Sequence, residues 1–305
     1  MQYEIRNTLV LGSRTSQLAM WQSRHVLAAL QAAWPGLECG IEPFVTQGDK
    51  TLDRPLPEIG GKGLFTLELE DGLRDGRIDL AVHSLKDLPV DDAPGLTVGA
   101  IVGRADVRDV LVAKDGMTLD TLPTGAVVGT SSLRRQAQLL ALRPKLTVRS
   151  IRGNVETRIH KALHGEYDAT ILAGAGVTRL GLDAQISQWL PLDVMLPAPG
   201  QGALAVQCRA DDEATLGLLA AIHNGEVAQA VTAERVFLSG LGGGCSIPVA
   251  AYATVSDGAI HLRGLVAAPD GSRIIRVEDS GSSAQELGTR LAEEAKSQGA
   301  LELIG

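Results

Sequence analysis

The sequence predicts an α/β protein with two α/β lobes joined at a hinge and a small C-terminal α/β domain that contains an antiparallel sheet. A strand that runs into a polar loop and a helix start recurs along the first half of the chain, and the pattern changes from about residue 227. The length of 305 residues also exceeds what one hydrophobic core usually organises. We therefore expect a discontinuous first lobe at 1–102 with 200–220, a second lobe at 103–199 and a C-terminal domain at 221–305.

The first lobe opens with two of these repeated units. The predicted elements are a strand at 8–11, a loop at 12–15, an amphipathic helix from about 16 to 33 ended by Pro35-Gly36, and a strand at 78–83 that leads into Ser84-Leu85-Lys86-Asp87. Pro89 breaks regular structure after the second strand.

The second lobe is predicted from two further units. Thr130-Ser131-Ser132 follows a strand at 126–129 and offers hydroxyl groups to cap a helix at 133–142. Asn154 follows a strand at 146–151 and caps a helix that ends at Leu163, with Gly165 as its C-cap. The loops after parallel strands collect at one edge of a sheet, so all four loops are candidate site loops.

The hinge is expected at a strand-like segment, residues 96–102, and the second crossing near residues 197–202. The segment 203–209 would then return to the first lobe as a strand. The C-terminal domain is predicted to contain a helix at 227–238, strands at 250–255, 260–267 and 272–277, and a last helix at 283–298.

The charge of the chain is unevenly distributed. The net charge of −8 argues against a nucleic-acid-binding protein whose whole surface is basic. Residues 130–180 contain nine basic and three acidic side chains, a local charge of +6, so the remainder carries −14. This contrast indicates a local anionic ligand.

The three cysteines, Cys39, Cys208 and Cys245, are far apart and odd in number, which favours a reducing compartment over a disulfide framework. They show no metal-binding spacing, so no metal site is expected. No targeting segment or membrane span is recognised, and a cytoplasmic location is expected.

Arginines concentrate near the predicted helix starts. Their planar guanidinium groups can bind carboxylates bidentately where helix N–H groups also favour an anion. Taken singly, each could instead be a solvated surface charge. The set consists of six arginines and one lysine: Arg14, Lys62, Arg134, Arg135, Arg152, Arg158 and Arg179.

Three further features leave alternatives open. Gly60-Gly61-Lys62-Gly63 lacks the spacing of a nucleotide P-loop, but as a glycine loop it could carry Lys62 and Phe65 over a site. Asp87 could shape a turn, or it could stabilise a developing positive charge. Cys245, within a glycine-rich turn, could be a small buried apolar residue or a derivatised thiol.

Eight segments, in order along the chain, resemble motifs of the porphobilinogen deaminase (hydroxymethylbilane synthase) family. They are GSRTSQLAMWQ, VTQGDK, GGKGLF, VHSLKDLP, GTSSLRRQ, RGNVETR, PAPGQGALAVQCR and LGGGCSIPVA. Two positions depart from the common pattern: Gly242 stands where many members have an acidic residue, and Gln207 stands where glutamate is frequent.

The resemblance implies two lobes like those of periplasmic binding proteins and a transferase of tetrapyrrole (porphyrin and heme) biosynthesis that polymerises porphobilinogen. It implies a dipyrromethane cofactor, thioether-linked to Cys245, and Asp87 as the catalytic carboxylate. The implied cofactor-binding residues are Cys245, Lys86, Asp87, Ser84, Thr130, Ser132, Arg134, Arg135 and Arg158. The implied substrate-binding residues are Arg14, Ser16, Lys62, Phe65, Arg152, Arg158, Arg179 and Gln201.

Two other functions compete with this interpretation. One is a non-catalytic two-lobed binder of a small polycarboxylate, for which no export signal is recognised. The other is the effector module of a transcription regulator, for which the sequence shows no basic helix-turn-helix. We expect a monomer that binds porphobilinogen and neither nucleic acid nor membrane.

Overall fold

The computed structural model describes residues 7–50, 66–243 and 247–304, and it confirms an α/β fold with three sheets. The described strands are β1 (Thr8–Arg14), β2 (Glu38–Phe44), β3 (Leu80–Ser84), β4 (Leu96–Arg104), β5 (Asp109–Ala113), β6 (Val127–Gly129), β7 (Thr147–Arg149), β8 (Ala169–Ala173), β9 (Gln188–Trp189), β10 (Ala203–Arg209), β11 (Val249–Ser256), β12 (Ala259–Ala267) and β13 (Ile274–Gly281). The described helices are α1 (Gln17–Ala33), α2 (Gln47–Lys50), α3 (Leu67–Arg74), α4 (Leu133–Leu142), α5 (Val155–Leu163), α6 (Gly174–Arg179), α7 (Glu213–Ala220), α8 (Gly225–Gly240), α9 (Ala284–Ser297) and α10 (Ala300–Ile304).

The described residues form two compact units. The first unit comprises 7–50, 66–104 and 203–228, and the second comprises 105–202, 229–243 and 247–304. The three-domain division expected from the sequence stays a prediction.

The first unit is built on a five-stranded sheet with the order β2-β1-β3-β10-β4. Strands β2, β1 and β3 are parallel, and β10 runs antiparallel to both β3 and β4. The chain thus returns to the first sheet at β10, which is the return that the sequence predicts.

Helix α1 covers one face of this sheet. Its buried residues include Ala19, Ser23, Val26 and Leu30, whose spacing of three or four places them on one side of the helix. Val26 and Leu30 pack in one apolar cluster with Leu11 and other strand residues. This packing fixes the start of α1 beside the end of β1.

The second unit contains two sheets. One has the order β7-β6-β8-β5-β9, in which β6 is parallel to β7 and β8 while β5 is antiparallel to β8. The other is the antiparallel sheet β11-β12-β13 of the C-terminal region. Helices α9 and α8 contribute Leu287, Leu291 and Phe237 to its core.

Two predicted helix starts are confirmed. The Ser132 hydroxyl accepts from the backbone N–H of Arg135 at 3.4 Å, and the Asn154 side chain accepts from that of Thr157 at 2.9 Å. Gly165 follows the second helix with a φ of 88°, the left-handed conformation that glycine favours. Capping chemistry is local, which is why the sequence reveals it.

The prediction that a loop begins at residue 12 is wrong. Strand β1 continues through Gly12 and Ser13 to Arg14, because all three residues pair with β2. Gly12 packs closely there, since a Cβ would lie 2.3 Å from Cδ1 of Ile78. The strand expected at 146–151 is also shorter, Thr147–Arg149.

Among the described residues, none of the helices has the length and apolar character needed to cross a bilayer. Those residues also hold no group of three or more potential metal ligands.

The turn between β12 and β13 docks on α4 through Gly271. A Cβ at this glycine would lie 2.4 Å from the backbone nitrogen of Ala141 and 2.8 Å from the carbonyl oxygen of Ala137. We expect Gly271→Ala to lower the free energy of unfolding by about 2–4 kcal/mol, because overpacking adds to the cost of a left-handed residue. Urea unfolding of the wild type and the variant at pH 7 measures this difference in free energy.

Gly258 provides the matched control, because its φ of 77° is close to the 74° of Gly271 but a Cβ there meets nothing within 4 Å. Gly258→Ala should therefore lose only the backbone contribution, about 1 kcal/mol. Equal losses in the two variants would contradict the docking of the turn on α4.

Candidate active site

The first unit collects polar residues at the carboxyl edge of its parallel strands. Strands β1 and β3 are parallel neighbours, so their last residues, Arg14 and Ser84, lie at the same edge. The Ser84 hydroxyl accepts from the Gln22 side chain of α1 at 2.8 Å. Ser16 caps α1 at this edge, where its hydroxyl accepts from the Ala19 N–H at 3.3 Å.

Lys86 and Asp87 follow β3 in a single 3-10 turn, Leu85–Asp87. Leu85 is 1% exposed and anchors the turn, Lys86 is half-buried, and Asp87 is exposed. Among the described residues, none donates a hydrogen bond to the Asp87 carboxylate or forms an ion pair with it. This carboxylate is therefore accessible to a ligand.

His83 lies beneath this turn in β3 and is buried. Burial lowers the pKa of His83 to about 4, the Gln207 side chain partly offsets this, and the charge of Arg14 lowers the pKa further. The imidazole is thus neutral at pH 7, which avoids a second positive charge behind Arg14.

The His83 pKa predicts an acid-sensitive stability. Because the folded-state pKa lies below the unfolded value of 6.5, the unfolded chain binds more protons between these values, and stability falls as the pH drops from 6.5 to about 4. The loss should reach about 3 kcal/mol by pH 4. Urea unfolding at pH 7 and pH 4 should show this loss of unfolding free energy in the wild type but not in His83→Gln. His261→Gln, which changes an exposed histidine, should show the same loss as the wild type.

The second unit also collects polar residues at the carboxyl edge of its parallel strands. The parallel strands β7, β6 and β8 end there, and Thr130, Ser132 and Arg152 occupy the loops that follow β6 and β7. The Ser131 hydroxyl joins these two loops, because it lies 2.8 Å from the Ser150 hydroxyl and accepts from the Ile151 N–H at 3.1 Å. Thr130 is buried, and its hydroxyl accepts from the Ser132 N–H at 3.2 Å.

Two further predicted arginines lie in short helices of the second unit. Arg158, in α5, donates through Nε to the Gly153 carbonyl at 2.8 Å. Arg179, the last residue of α6, donates through Nη2 to the Gly202 carbonyl at 2.7 Å. Burial lowers the pKa of Arg179 to about 10, so the side chain keeps its positive charge at pH 7. Burial also lowers the pKa of Arg152 from its usual value.

Arg134 and Arg135 form a buried ion cluster with Asp109. Arg134 Nη1 and Arg135 Nη2 each lie 2.8 Å from an oxygen of the Asp109 carboxylate. All three side chains are at least nine-tenths buried. Burial alone would raise the pKa of Asp109, but the charges of Arg134 and Arg135 outweigh it and hold this pKa far below the usual value.

The cluster carries one uncompensated positive charge. Two guanidinium groups face one carboxylate, and the Nε–H groups of Arg134 and Arg135 have no acceptor among the described residues. A buried cationic excess with unused donors suits an anionic ligand such as a carboxylate.

Gln201 is completely buried beside this cluster. Its amide nitrogen donates to the Val107 carbonyl at 2.8 Å and to Asp109 Oδ1 at 2.9 Å. Both amide N–H groups are thus used inside the protein, although the sequence predicts that Gln201 contacts the substrate.

Lys62, Phe65 and Cys245 lie outside the described residues. The helix that precedes Cys245 ends in a glycine cap: the Gly243 N–H donates to the Leu238 carbonyl and the Gly242 N–H to the Ser239 carbonyl, both at 3.0 Å. Gly242 has a φ of 97°, so the residue that departs from the family pattern occupies a left-handed position where glycine is favoured.

Sequence reasoning missed Asp109, which is separated from Arg134 by 25 residues. The one available signal for Asp109 is its position directly before the apolar run Val110–Ala113, where a charge is expected to be buried and paired.

Comparison with known proteins gives family matches over most of the chain. The model described as "Porphobilinogen deaminase, dipyromethane cofactor binding domain" matches residues 9–217, and "Porphobilinogen deaminase, C-terminal domain" matches 228–297. A curated porphobilinogen deaminase from Roseiflexus sp. (strain RS-1) is 51% identical over 302 residues, which cover 98% of this chain and 99% of the relative.

Similar solved structures include the methionine-binding protein MetQ, with a TM-score of 0.45 and 12% identity over 73% of this chain and 93% of MetQ. A periplasmic domain of BvgS from Bordetella pertussis gives a TM-score of 0.43 and 17% identity over 75% of this chain and 93% of that domain.

Proposed function

The chain belongs to the porphobilinogen deaminase family, and we propose that Asp87 and the arginines at the two sheet edges carry the reaction of that family in this protein. The activity is that of a transferase, hydroxymethylbilane synthase, which deaminates porphobilinogen and joins four units head to tail on a dipyrromethane cofactor. No observation favours the non-catalytic binder. The accessible carboxylate of Asp87, next to a half-buried lysine at a strand end, is the observation that supports the assignment of the chemistry.

The second unit fits an anionic cofactor. Dipyrromethane derives from a substrate with acetate and propionate arms, and the cluster of Arg134, Arg135 and Asp109 offers a charge excess of one and two unused N–H donors. We propose that the Cys245 thiol carries the cofactor. The other residues proposed to hold it are Ser84, Lys86, Asp87, Thr130, Ser132, Arg134, Arg135 and Arg158. When bound, the cofactor supplies the pyrrole carbon to which the first substrate unit is joined.

A second set of residues, which shares Arg158 with the cofactor set, is assigned to the substrate. Each charge-assisted hydrogen bond from an arginine to a carboxylate arm contributes roughly 1.5–3 kcal/mol, so a few of them can hold a dicarboxylate. The proposed contacts are Arg14, Ser16, Lys62, Phe65, Arg152, Arg158 and Arg179. Gln201 is also kept as a proposed substrate residue, and in the structure its amide N–H groups donate to the Val107 carbonyl and to Asp109.

Asp87 is proposed to stabilise the cation that forms from the substrate. The C–N bond of the protonated aminomethyl group breaks, ammonia leaves with the electron pair, and an electron-poor azafulvenium remains. Attack by a pyrrole α-carbon forms the new C–C bond, and that carbon then loses its proton. A carboxylate about 4 Å from the positive charge contributes on the order of 4 kcal/mol at an effective dielectric constant near 20.

We also propose a cellular location and an assembly state. We place the protein in the cytoplasm as a monomer, with the C-terminal region as the cofactor-attachment domain. The odd, dispersed cysteines support a reducing compartment, and Cys245 lies within residues 228–297, which match the family's C-terminal domain.

The direct test is incubation of the purified protein with porphobilinogen, with hydroxymethylbilane and ammonia measured together. The proposal expects four ammonia molecules for each tetrapyrrole released, without added metal or nucleotide. Tight binding of porphobilinogen with no ammonia release would support the binding-protein alternative instead.

A further inference from the structure

Glu234 is a completely buried carboxylate in α8, and the reaction described above does not use it. Its Oε1 accepts from the backbone N–H of Ala253 in β11, and its Oε2 accepts from the backbone N–H of Gly200, both at 2.7 Å. Each oxygen therefore holds a different part of the second unit.

Gly200 belongs to residues 196–202, which we name the crossing segment because it precedes the return of the chain at β10. The Ala251 N–H donates to the Pro197 carbonyl at 3.1 Å, so β11 holds this segment at a second point. Leu196 also packs with Ala137 of α4 and Ala250 of β11 in one apolar cluster. The C-terminal region thus contacts the crossing segment at Leu196, Pro197 and Gly200.

The crossing segment in turn holds the arginines. Its first residue, Leu196, accepts from Arg134 Nη1 at 2.6 Å, and its last, Gly202, accepts from Arg179 Nη2 at 2.7 Å. Its Gln201 side chain donates to Asp109, the partner of Arg134 and Arg135. One short segment therefore bonds two of the proposed anion-binding side chains through its backbone carbonyls and contacts the ion-pair partner of a third.

We propose that Glu234 is a positioning residue: through Gly200 it fixes the crossing segment, and through that segment it orients Arg179 and Arg134 toward the carboxylate arms of their ligands. This inference rests on the proposed roles of those arginines. Gly200 is two residues from the carbonyl that holds Arg179 and four from the one that holds Arg134, so the larger effect falls on Arg179 and hence on substrate binding.

Glu234→Gln tests the proposal in the cofactor-loaded enzyme, because it keeps the shape of the side chain but replaces one acceptor oxygen by an N–H donor. We expect KM for porphobilinogen to rise by about tenfold or more while kcat per loaded enzyme stays within about threefold, the signature of lost binding. Hydrogen exchange of the backbone at 200–202, measured without substrate, should also quicken relative to the strands of the C-terminal sheet.

Two controls separate positioning from stability. Glu226→Gln changes an exposed glutamate in the first turn of the same helix and should alter neither KM nor exchange. Ile260→Val removes a methyl group from the core of the C-terminal sheet, so it should lower the melting temperature and leave KM unchanged. An unchanged KM in Glu234→Gln, with a melting temperature as low as that of Ile260→Val, would make Glu234 merely structural and overturn the proposal.

The assays are run at low temperature with folding checked by circular dichroism. If Glu234→Gln does not fold, Glu234→Asp replaces it, because the shorter carboxylate cannot reach both N–H groups and the same rise in KM is expected. If neither variant folds, Glu234 is a folding determinant and the positioning role is rejected. Loss of activity in the wild type would reject the proposed function, whereas a normal wild type with an unaffected variant rejects only this inference.

Discussion

Replacement of Asp87 by asparagine should lower the turnover of porphobilinogen by about a thousandfold while the cofactor stays attached. Asparagine keeps the size of the side chain but not its charge, and about 4 kcal/mol of stabilisation of the azafulvenium would be lost. Because this interaction strengthens as the charge develops, the loss should appear in kcat more than in KM. Single-turnover rates per cofactor-loaded chain provide the measurement.

Asp92→Asn is the control for this experiment, since Asp92 is an exposed carboxylate five residues away whose side chain accepts from the Thr97 hydroxyl. It should retain normal turnover. Near-normal turnover in Asp87→Asn would remove Asp87 from the chemistry, and a variant that lacks the cofactor would place its role in cofactor assembly.

Asp109→Asn should be the most destabilising single change in the second unit. It leaves two buried guanidinium groups without a counter-charge, and breaking a buried ion pair in this way costs about 3–5 kcal/mol. We also expect the chain to accumulate without its cofactor, because Arg134 and Arg135 lose the group that orients them. Urea unfolding and the mass of the intact chain report the two effects separately.

The pH dependence of the stability that the Asp109 carboxylate provides has a defined sign. The folded-state pKa of Asp109 lies below its ordinary value of 3.8, so the stabilisation is fully present above about pH 5 and is lost progressively as the pH falls from there toward the folded-state pKa. The free energies of unfolding of the wild type and of Asp109→Asn should therefore differ by a constant amount between pH 5 and pH 8.

Asp106→Asn serves as the matched control for Asp109→Asn. Asp106 is exposed and pairs with the neighbouring Arg108 at 2.6 Å, and an ion pair of this kind contributes less than about 1 kcal/mol. A stable, cofactor-loaded Asp109→Asn protein would contradict the proposal that this carboxylate orients the two arginines.

The sequence predicts the edges of the site well because their chemistry is local. Ser132 and Asn154 cap their helices as predicted, and the strand that precedes each loop is a short apolar run. Parallel pairing then brings the loops to one edge in each unit without further information.

The burial of Arg134 and Arg135 could not be predicted in the same way. Their charge and their place at a helix start favour a ligand-facing role, but the sequence does not show that Asp109, at the beginning of another strand, pairs with both. Similarly, Gln201 lies in a family motif that suggests substrate contact, whereas its amide bonds Val107 and Asp109. Such pairings depend on strand order, which local patterns do not specify.

Strand β2 was not predicted for a related reason. Its sequence, ECGIEPF, contains a glycine and a proline and lacks a clear apolar alternation. It forms because β1 extends through Arg14 and offers a full row of parallel partners. The same extension places Arg14 at the end of a strand, next to the end of β3.

We propose that this chain carries a dipyrromethane on Cys245 and uses it as a primer. The most direct measurement is the mass of the intact denatured protein, followed by peptide mapping across residues 240–250. We expect an added mass of two linked pyrroles on the peptide that contains Cys245. A chain that remains unmodified and inactive after incubation with porphobilinogen would contradict the account.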